Sequence, residues 1–264
     1  MSFCYAIFGA TGTIGSLLMQ EILSCSSNTT VHAFCRSREK LLKCINNEDH
    51  KARVKIFEGS LDDIELLQNC IKEANVIVLA IAPKGNIPNN HLVENTAKNM
   101  IKAVQSLKNI KANRIVLVSS AGTEHRFMHA NSSALFLAIL DRALFHVYRD
   151  LEAAEKVLRA NESLIPSTYV KPSALSHNFG YNPYRKPSAK NVFKLDFQNA
   201  NFPCSYFDFV HGVMEVADEK SDLYENKSVA TNSIGKVSFP IEAPVQLFVG
   251  LVVFYLPFLC SWIY

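Results

Sequence analysis

Short apolar runs alternate along the chain with longer stretches in which apolar residues recur every three or four positions. "FCYAIF" (3–8), "TVHAFC" (30–35), "RVKIF" (53–57), "NVIVLAI" (75–81), "RIVLVSS" (114–120) and "STYVK" (167–171) have strand length, are rich in β-branched and aromatic residues, and mostly do not alternate with polar ones. A strand apolar on both sides is covered on both faces, as in a parallel sheet. Helical spacing falls between these runs, over 13–25, 38–45, 63–74, 88–109 and 133–161. The sustained strand–helix alternation predicts an α/β fold, a doubly wound parallel sheet with right-handed crossovers.

After the sixth run the pattern changes. "NFGYNPYRKPSAKNVFKLDFQNANFP" (178–203) is rich in Asn, Pro and aromatics and too long for a simple connection, so it reads as a lid or small substrate-binding region. "FDFVHGVMEVAD" (207–218) returns to helical spacing and "NKSVAT" (226–231) predicts a late strand. Residues 1–172 are thus expected to form the main sheet domain and 173–242 a substrate-binding region integrated with it. The stretch 243–264 is expected to form an apolar helix. It carries no charge, is long enough to span a bilayer, and is interrupted at Pro257. Two settings stay open for it: a membrane-surface or tail anchor, or a helix docked on the domain.

With 264 residues, 48% of them hydrophobic and 19% charged, the chain can bury a full core. A net charge of +3, with no Lys/Arg block interleaved with aromatics, argues against a nucleic-acid partner. The seven cysteines form no C-x-x-C pair and have no His at zinc-ligand spacing. No metal is expected, and the thiols read as free in a reducing compartment. "MSFCYAIF" enters a strand at once, without a signal sequence, so the expected location is cytoplasmic, membrane association depending on the tail.

Chemistry enters at "YAIFGATGTIGSLL", which sets Gly9, Gly12 and Gly15 between the first strand and the first helix. Gly9 permits a tight turn, Gly12 lets a diphosphate approach the backbone, and Gly15 allows close helix packing. The helix start offers unpaired amides to the anion. Gly9, Thr11, Gly12, Thr13, Ile14 and Gly15 are therefore the expected cradle of a dinucleotide. At the end of strand two, "CRSREK" offers Arg36 and no carboxylate before Glu39. An arginine there suits a 2′-phosphate, which favours NADP(H) over NAD(H).

The G-x-x-G-x-x-G spacing resembles that of the extended and atypical short-chain dehydrogenase/reductases, NmrA-like proteins among them, and so implies a Rossmann-type domain. In that superfamily a stretch like "FEGSLDD" borders the adenine, which implies a role for Asp62 or Asp63; either could instead cap the following helix. The backbone of Ala80 to Ala82 would pass the nicotinamide ribose. A serine after strand five, a tyrosine, and a lysine one helical turn on share the proton chemistry. Here Ser119 and Ser120 hold the serine position and Tyr148 the tyrosine, but Glu152 stands where the lysine should be. A carboxylate beside the phenol keeps it protonated and cannot replace an ammonium. Other expected proton carriers are Lys171, His177 and His146.

A narrower resemblance covers nearly the whole chain. "GATGTIG", "RSREKLL", "FEGS", "YRDLEAAEKVLRANESLIPSTYVKPS" and "SYFDFVHGVMEVAD" resemble the averufin oxidase A family of fungal polyketide gene clusters. The likeness implies an oxidoreductase-type tailoring step on an aromatic polyketide. Carbonyl reduction, alcohol oxidation, a redox-neutral isomerisation and dinucleotide sensing without turnover all stay open.

Overall fold

The computed structural model describes residues 3–45, 47–128, 132–176, 193–234, 237–240 and 242–263. The six apolar runs become β1 (Phe3–Phe8), β2 (Thr29–Cys35), β3 (Val54–Glu58), β4 (Val76–Leu79), β5 (Ile115–Val118) and β6 (Ser167–Lys171). Later come β7 (Leu175–Ser176), β8 (Phe193–Asp196), β9 (Cys204–Ser205) and β10 (Ser228–Ser233). The main sheet has the order β3-β2-β1-β4-β5-β6-β10-β8, and β7 pairs with β9 in a small parallel ribbon. All neighbours in the main sheet are parallel except β8, which runs antiparallel along β10 at the edge.

The helices are α1 (Thr13–Cys25), α2 (Arg38–Lys43), α3 (Glu48–Ala52), α4 (Ile64–Ile71), α5 (Leu92–Ser106), α6 (His125–Met128), α7 (Ala134–Ala143), α8 (Phe145–Arg159), α9 (Tyr206–Asp218), α10 (Ala243–Tyr255) and α11 (Cys260–Ile263). Successive strand residues point to opposite faces, so Ile7 and Phe8 enter different cores. Phe8, Leu79 and Leu117 pack under α4, α5 and α8, beside Met100 and Leu158. Ile7, Val78 and Val116 pack under α1 and α9, beside Leu18 and Val213. Two covered faces are the reason the strands read as unbroken apolar runs.

One expectation is corrected. The helical stretch 133–161 is two helices, broken at Leu144, because Asn86 reaches in from the loop after β4. Its Oδ1 accepts the His146 amide at 2.8 Å and so caps α8. The stretch 178–203, expected as a lid or small substrate-binding region, includes β8, an edge strand of the main sheet; its residues 178–192 lie outside those described. A second buried polar side chain fixes the helix layer: Asp150 of α8 accepts the Val93 and Glu94 amides at 3.0 and 2.9 Å, capping α5 from a neighbouring helix.

The tail docks. At Gly250 of α10 a Cβ would overlap the Ala143 carbonyl of α7, so the two helices touch backbone to backbone. Asn86 Nδ2 donates to the Gly250 carbonyl at 3.3 Å, and the Phe145 and Phe254 rings meet edge to face at 5.3 Å. Among the described residues no single helix is long and apolar enough to cross a membrane. Ala243–Tyr255 and Pro257–Ile263 meet that length and composition only as a pair, bent by 116°.

Candidate active site

The glycine turn joins β1 to α1 at the carboxyl edge of the sheet, where β1 lies between β2 and β4 and the strand order reverses. Gly9 has φ +86°, and a Cβ there would overlap the Ala80 carbonyl oxygen. A Cβ on Gly15 would overlap the Gly9 carbonyl. Gly12 differs: its added Cβ would meet only the Gly9 oxygen, at 3.3 Å, and its outer side is open. The protein's own packing thus requires the outer two glycines, while the middle one leaves room for a ligand. Helix α1 starts there without a side-chain cap and without an acid in its first turn. Thr11, Gly12 and Thr13 are exposed, and Ile14 is half-buried. Bare amides and a positive helix end suit a diphosphate.

Arg36 follows β2, is exposed, and makes no ion pair or hydrogen bond among the described residues. Glu39 is committed to Lys43 at 2.6 Å within α2. The one carboxylate sequence reasoning missed in this corner is Glu58, at the end of β3, which accepts the Arg38 amide at 2.9 Å. It sits beside Cys35 in the β2–β3 register, which only strand pairing reveals. Asp63 caps α4 by accepting the Leu66 amide at 2.9 Å. Asp62 instead accepts from Asn99 of α5 at 3.1 Å. Ala80 is held by its amide to the Phe8 carbonyl at 2.9 Å, and Ala82 is exposed beyond it.

On the loop after β5, Ser119 and Ser120 part company, as neighbours in extended backbone must. Ser120 lies close enough to Tyr148 for its hydroxyl to pull the phenol down against burial, and its Oγ accepts the Gly122 amide at 3.3 Å. The Gly122 backbone lies against the phenol so closely that a Cβ would overlap it. Burial, with a smaller push from Asp141, drives the phenol far above its ordinary range against the pull of Ser120; among the described residues no cation acts on it. Near neutral pH Tyr148 is a neutral donor. Glu152 points elsewhere and pairs with Arg149 at 3.2 Å on the half-exposed side of α8.

Ser119 turns to Glu155 and donates to its Oε1. Lys171, expected at the ligand edge, is fully buried in the same place. Its ammonium reaches Thr123 Oγ1 at 2.5 Å, Glu155 Oε1 at 2.6 Å and Glu124 Oε1 at 3.1 Å. Arg159 adds longer contacts to both carboxylates. Burial would raise the Glu124 carboxyl, but the Ser228 hydroxyl and the Lys171 charge hold it below the usual range. This network ties β6, α8 and the Ser119–Glu124 loop together. It thereby sets the loop on which Ser120 meets Tyr148. The sequence signal for it was the acid seven residues after Tyr148, two helical turns along the same face.

His177 lies outside the described residues. His146 sits at the start of α8, where burial lowers its imidazole, so it is neutral near pH 7. Among the described residues no group of His, Cys, Asp and Glu side chains is arranged to hold a metal ion.

Next to this loop lies a cavity of about 340 Å³. Ser173, Ala174, Leu175 and Ser176, directly past β6, form one side, and Phe136 and Leu140 of α7 with Leu144 at its end another. Phe202, Tyr206, Phe239 and the first turns of α10 complete it. Ser119, Ser120 and Tyr148 do not line it. The Ala121 amide, donating to the Pro172 carbonyl at 2.8 Å, links their loop to its floor.

Residues 9–195 match the family model described as NAD(P)H-binding. The chain is 34% identical over 261 residues to the oxidoreductase nsrR of Aspergillus novofumigatus, covering 97% of this chain and 94% of that protein. It is 30% identical over 257 residues to the oxidoreductase aflX of Aspergillus parasiticus, covering 96% and 92%. Among solved structures, a short-chain dehydrogenase/reductase from Veillonella parvula in complex with NADP superposes with a TM-score of 0.66. Its identity is 20%, with 91% of this chain and 100% of that one covered. That likeness speaks to the fold.

Proposed function

Because the chain belongs to the NAD(P)H-binding family and shares nearly its whole length with fungal oxidoreductases, we propose that it is an NADP(H)-dependent oxidoreductase acting on an aromatic, polyketide-type small molecule. The observation that carries this reading is the bare start of α1 over the open side of Gly12, with the unpartnered Arg36 one strand away. The fit is chemical: amides and a dipole for the diphosphate, a planar cation for the 2′-phosphate.

Bound there, the dinucleotide supplies or accepts a hydride. Tyr148 holds a proton on its phenol oxygen, and Ser120 orients that hydroxyl. The protonated phenol is the donor for a substrate oxygen, which takes up a proton when a carbonyl carbon is reduced. The Lys171–Glu155 network keeps the serine loop in place and touches no substrate. A second reading is supported by Glu152 standing four residues after Tyr148 and by the lack, among the described residues, of a cation acting on that phenol. In it the dinucleotide is retained through a redox-neutral step, or is bound without turnover.

Calorimetry with NADPH and NADH tests the binding half, with NADPH expected to bind the tighter. If neither binds at millimolar concentration, the reading fails. Incubation with NADPH and a panel of hydroxylated anthraquinones and anthrones tests the chemistry. Cofactor consumption supports oxidoreduction, and product without consumption supports the second reading.

The exposed face of the tail supports association with a lipid surface. Val245, Phe248, Phe258 and Trp262 are largely exposed, and no charged residue follows Glu242. Flotation with neutral phosphatidylcholine vesicles is expected to carry the protein upward, and a Phe248→Ser/Trp262→Ser variant is expected to stay behind. Wild-type protein that stays with the variant overturns this location.

A further inference from the structure

The cavity beside the β6 exit owes one wall to the C-terminal segment, a part of the chain that the main sheet does not use. Its volume, about 340 Å³, falls at the lower end of small-molecule sites. The rings of Phe136, Phe202 and Phe239 touch in series, with centroids 5.9 and 5.5 Å apart, and Leu140 and Leu247 add aliphatic surface. Such a row of ring edges and faces suits a flat conjugated body better than a flexible acyl chain. Polar lining groups include Tyr206, at the start of α9, and Glu242 and Gln246, one helical turn apart at the start of α10.

A phenolic hydroxyl needs one acceptor and one donor. Glu242 supplies the acceptor. Tyr206 supplies the donor, because burial and the Glu242 charge both push its phenol up and keep it protonated. The opposite side of the cavity, Ser173, is the residue after Pro172, whose carbonyl holds the loop of Ser120. One backbone hydrogen bond and one residue thus separate the cavity wall from the loop that carries Ser120.

We propose that this cavity holds a planar hydroxylated aromatic substrate, that Phe239, Pro240 and the stretch 242–247 are its closing wall, and that Tyr206 and Glu242 bind a hydroxyl at the ligand's edge. The segment is then a specificity element, whatever else its outer face touches. This rests on the dinucleotide reading above, so both ligands are measured on each protein.

The experiment uses the full chain loaded with NADP⁺ and follows 1,8-dihydroxyanthraquinone and unsubstituted anthraquinone by calorimetry. Leu247→Trp and Ala243→Phe, which fill the cavity from α10, are expected to weaken both anthraquinones at least tenfold and to leave NADP⁺ affinity within about twofold. Glu242→Gln and Tyr206→Phe are expected to weaken the dihydroxy compound about tenfold and the unsubstituted one hardly at all, because a site built for a hydroxyl loses most when that pairing is lost. Retained NADP⁺ binding shows that each variant is folded. The proposal is overturned if wild-type protein binds neither anthraquinone, if both filled variants bind them as wild type does, or if the two polar variants lose both compounds equally. Loss of NADP⁺ binding by the wild type would instead sink the dinucleotide reading.

Discussion

Lys171 Nζ lies 2.6 Å from Glu155 Oε1 in a site from which the lysine is wholly excluded from solvent. The same oxygen takes the Ser119 hydroxyl, so one carboxylate fastens the end of β6 to the loop after β5. Replacing Lys171 by Met leaves Glu155 buried, and the half-buried Glu124 beside it, without their main counter-charge. Breaking one partner of a buried pair costs about 3–5 kcal/mol. Urea unfolding should register a loss of that order, and Lys171→Met/Glu155→Leu should recover part of it. NADPH affinity, set at the far glycine turn, should stay within about twofold. A loss below about 1 kcal/mol would contradict the burial of this pair.

The sheet was legible because each strand is covered twice. Phe8 and Ile7 serve opposite cores, so the run "FCYAIF" could not alternate. The break at Leu144 was not legible. Apolar periodicity continues from α7 into α8, and the residue that stops it, Asn86, comes from nearly sixty positions earlier. The glycine turn between β1 and α1 was legible because the Gly15–Gly9 contact is local, whereas the Ala80 carbonyl that presses on Gly9 comes from another strand. Lys171 could not be placed so. The strand end was predictable, but the side of the loop that its ammonium would enter depended on Glu155 and Glu124 arriving from two other elements. The tail wall of the cavity was invisible for the same reason: an apolar helix does not announce what it covers.

The three glycines make separable predictions. Gly12 has ordinary extended backbone, φ −78° and ψ 166°, and an alanine Cβ there has only the Gly9 oxygen to accommodate at 3.3 Å. Gly12→Ala should therefore fold with near wild-type stability while narrowing the space over the helix start. NADPH affinity should fall at least tenfold by calorimetry. Gly15→Ala, whose Cβ overlaps the Gly9 carbonyl, should destabilise the whole domain, seen as a lowered midpoint of thermal unfolding. Equal behaviour of the two variants would refute the division of roles.

Arg36 should decide between the two dinucleotides. A bidentate guanidinium on a phosphate is a charge-assisted pair, and each such hydrogen bond contributes roughly 1.5–3 kcal/mol. Arg36→Ala should weaken NADPH by one to two orders of magnitude and leave NADH within about threefold, with the NADPH loss shrinking at high salt. Parallel losses for both would mean that Arg36 serves the adenine or the fold instead of a 2′-phosphate.

Tyr148 carries the pH argument. Burial raises its phenol far above the ordinary value of 10. A folded value above the unfolded one contributes stability in full below pH 10 and loses it as pH rises through the folded value. Wild-type protein should therefore lose stability to alkali above about pH 10 more steeply than Tyr148→Phe does. Near neutrality the phenol is fully protonated in every molecule, so it donates a hydrogen bond and does not act as a base. Its removal should then lower kcat roughly tenfold, the scale of one hydrogen bond, and leave the pH profile between about pH 6 and 9 unchanged. An activated tyrosine would behave differently, with a loss of about 10²–10⁴ and the disappearance of a titrating limb below pH 9. Measuring Tyr148→Phe beside wild type across that range separates the two. A vanished limb would require a cation near the phenol that the arrangement of Glu152, Arg149 and Lys171 does not provide.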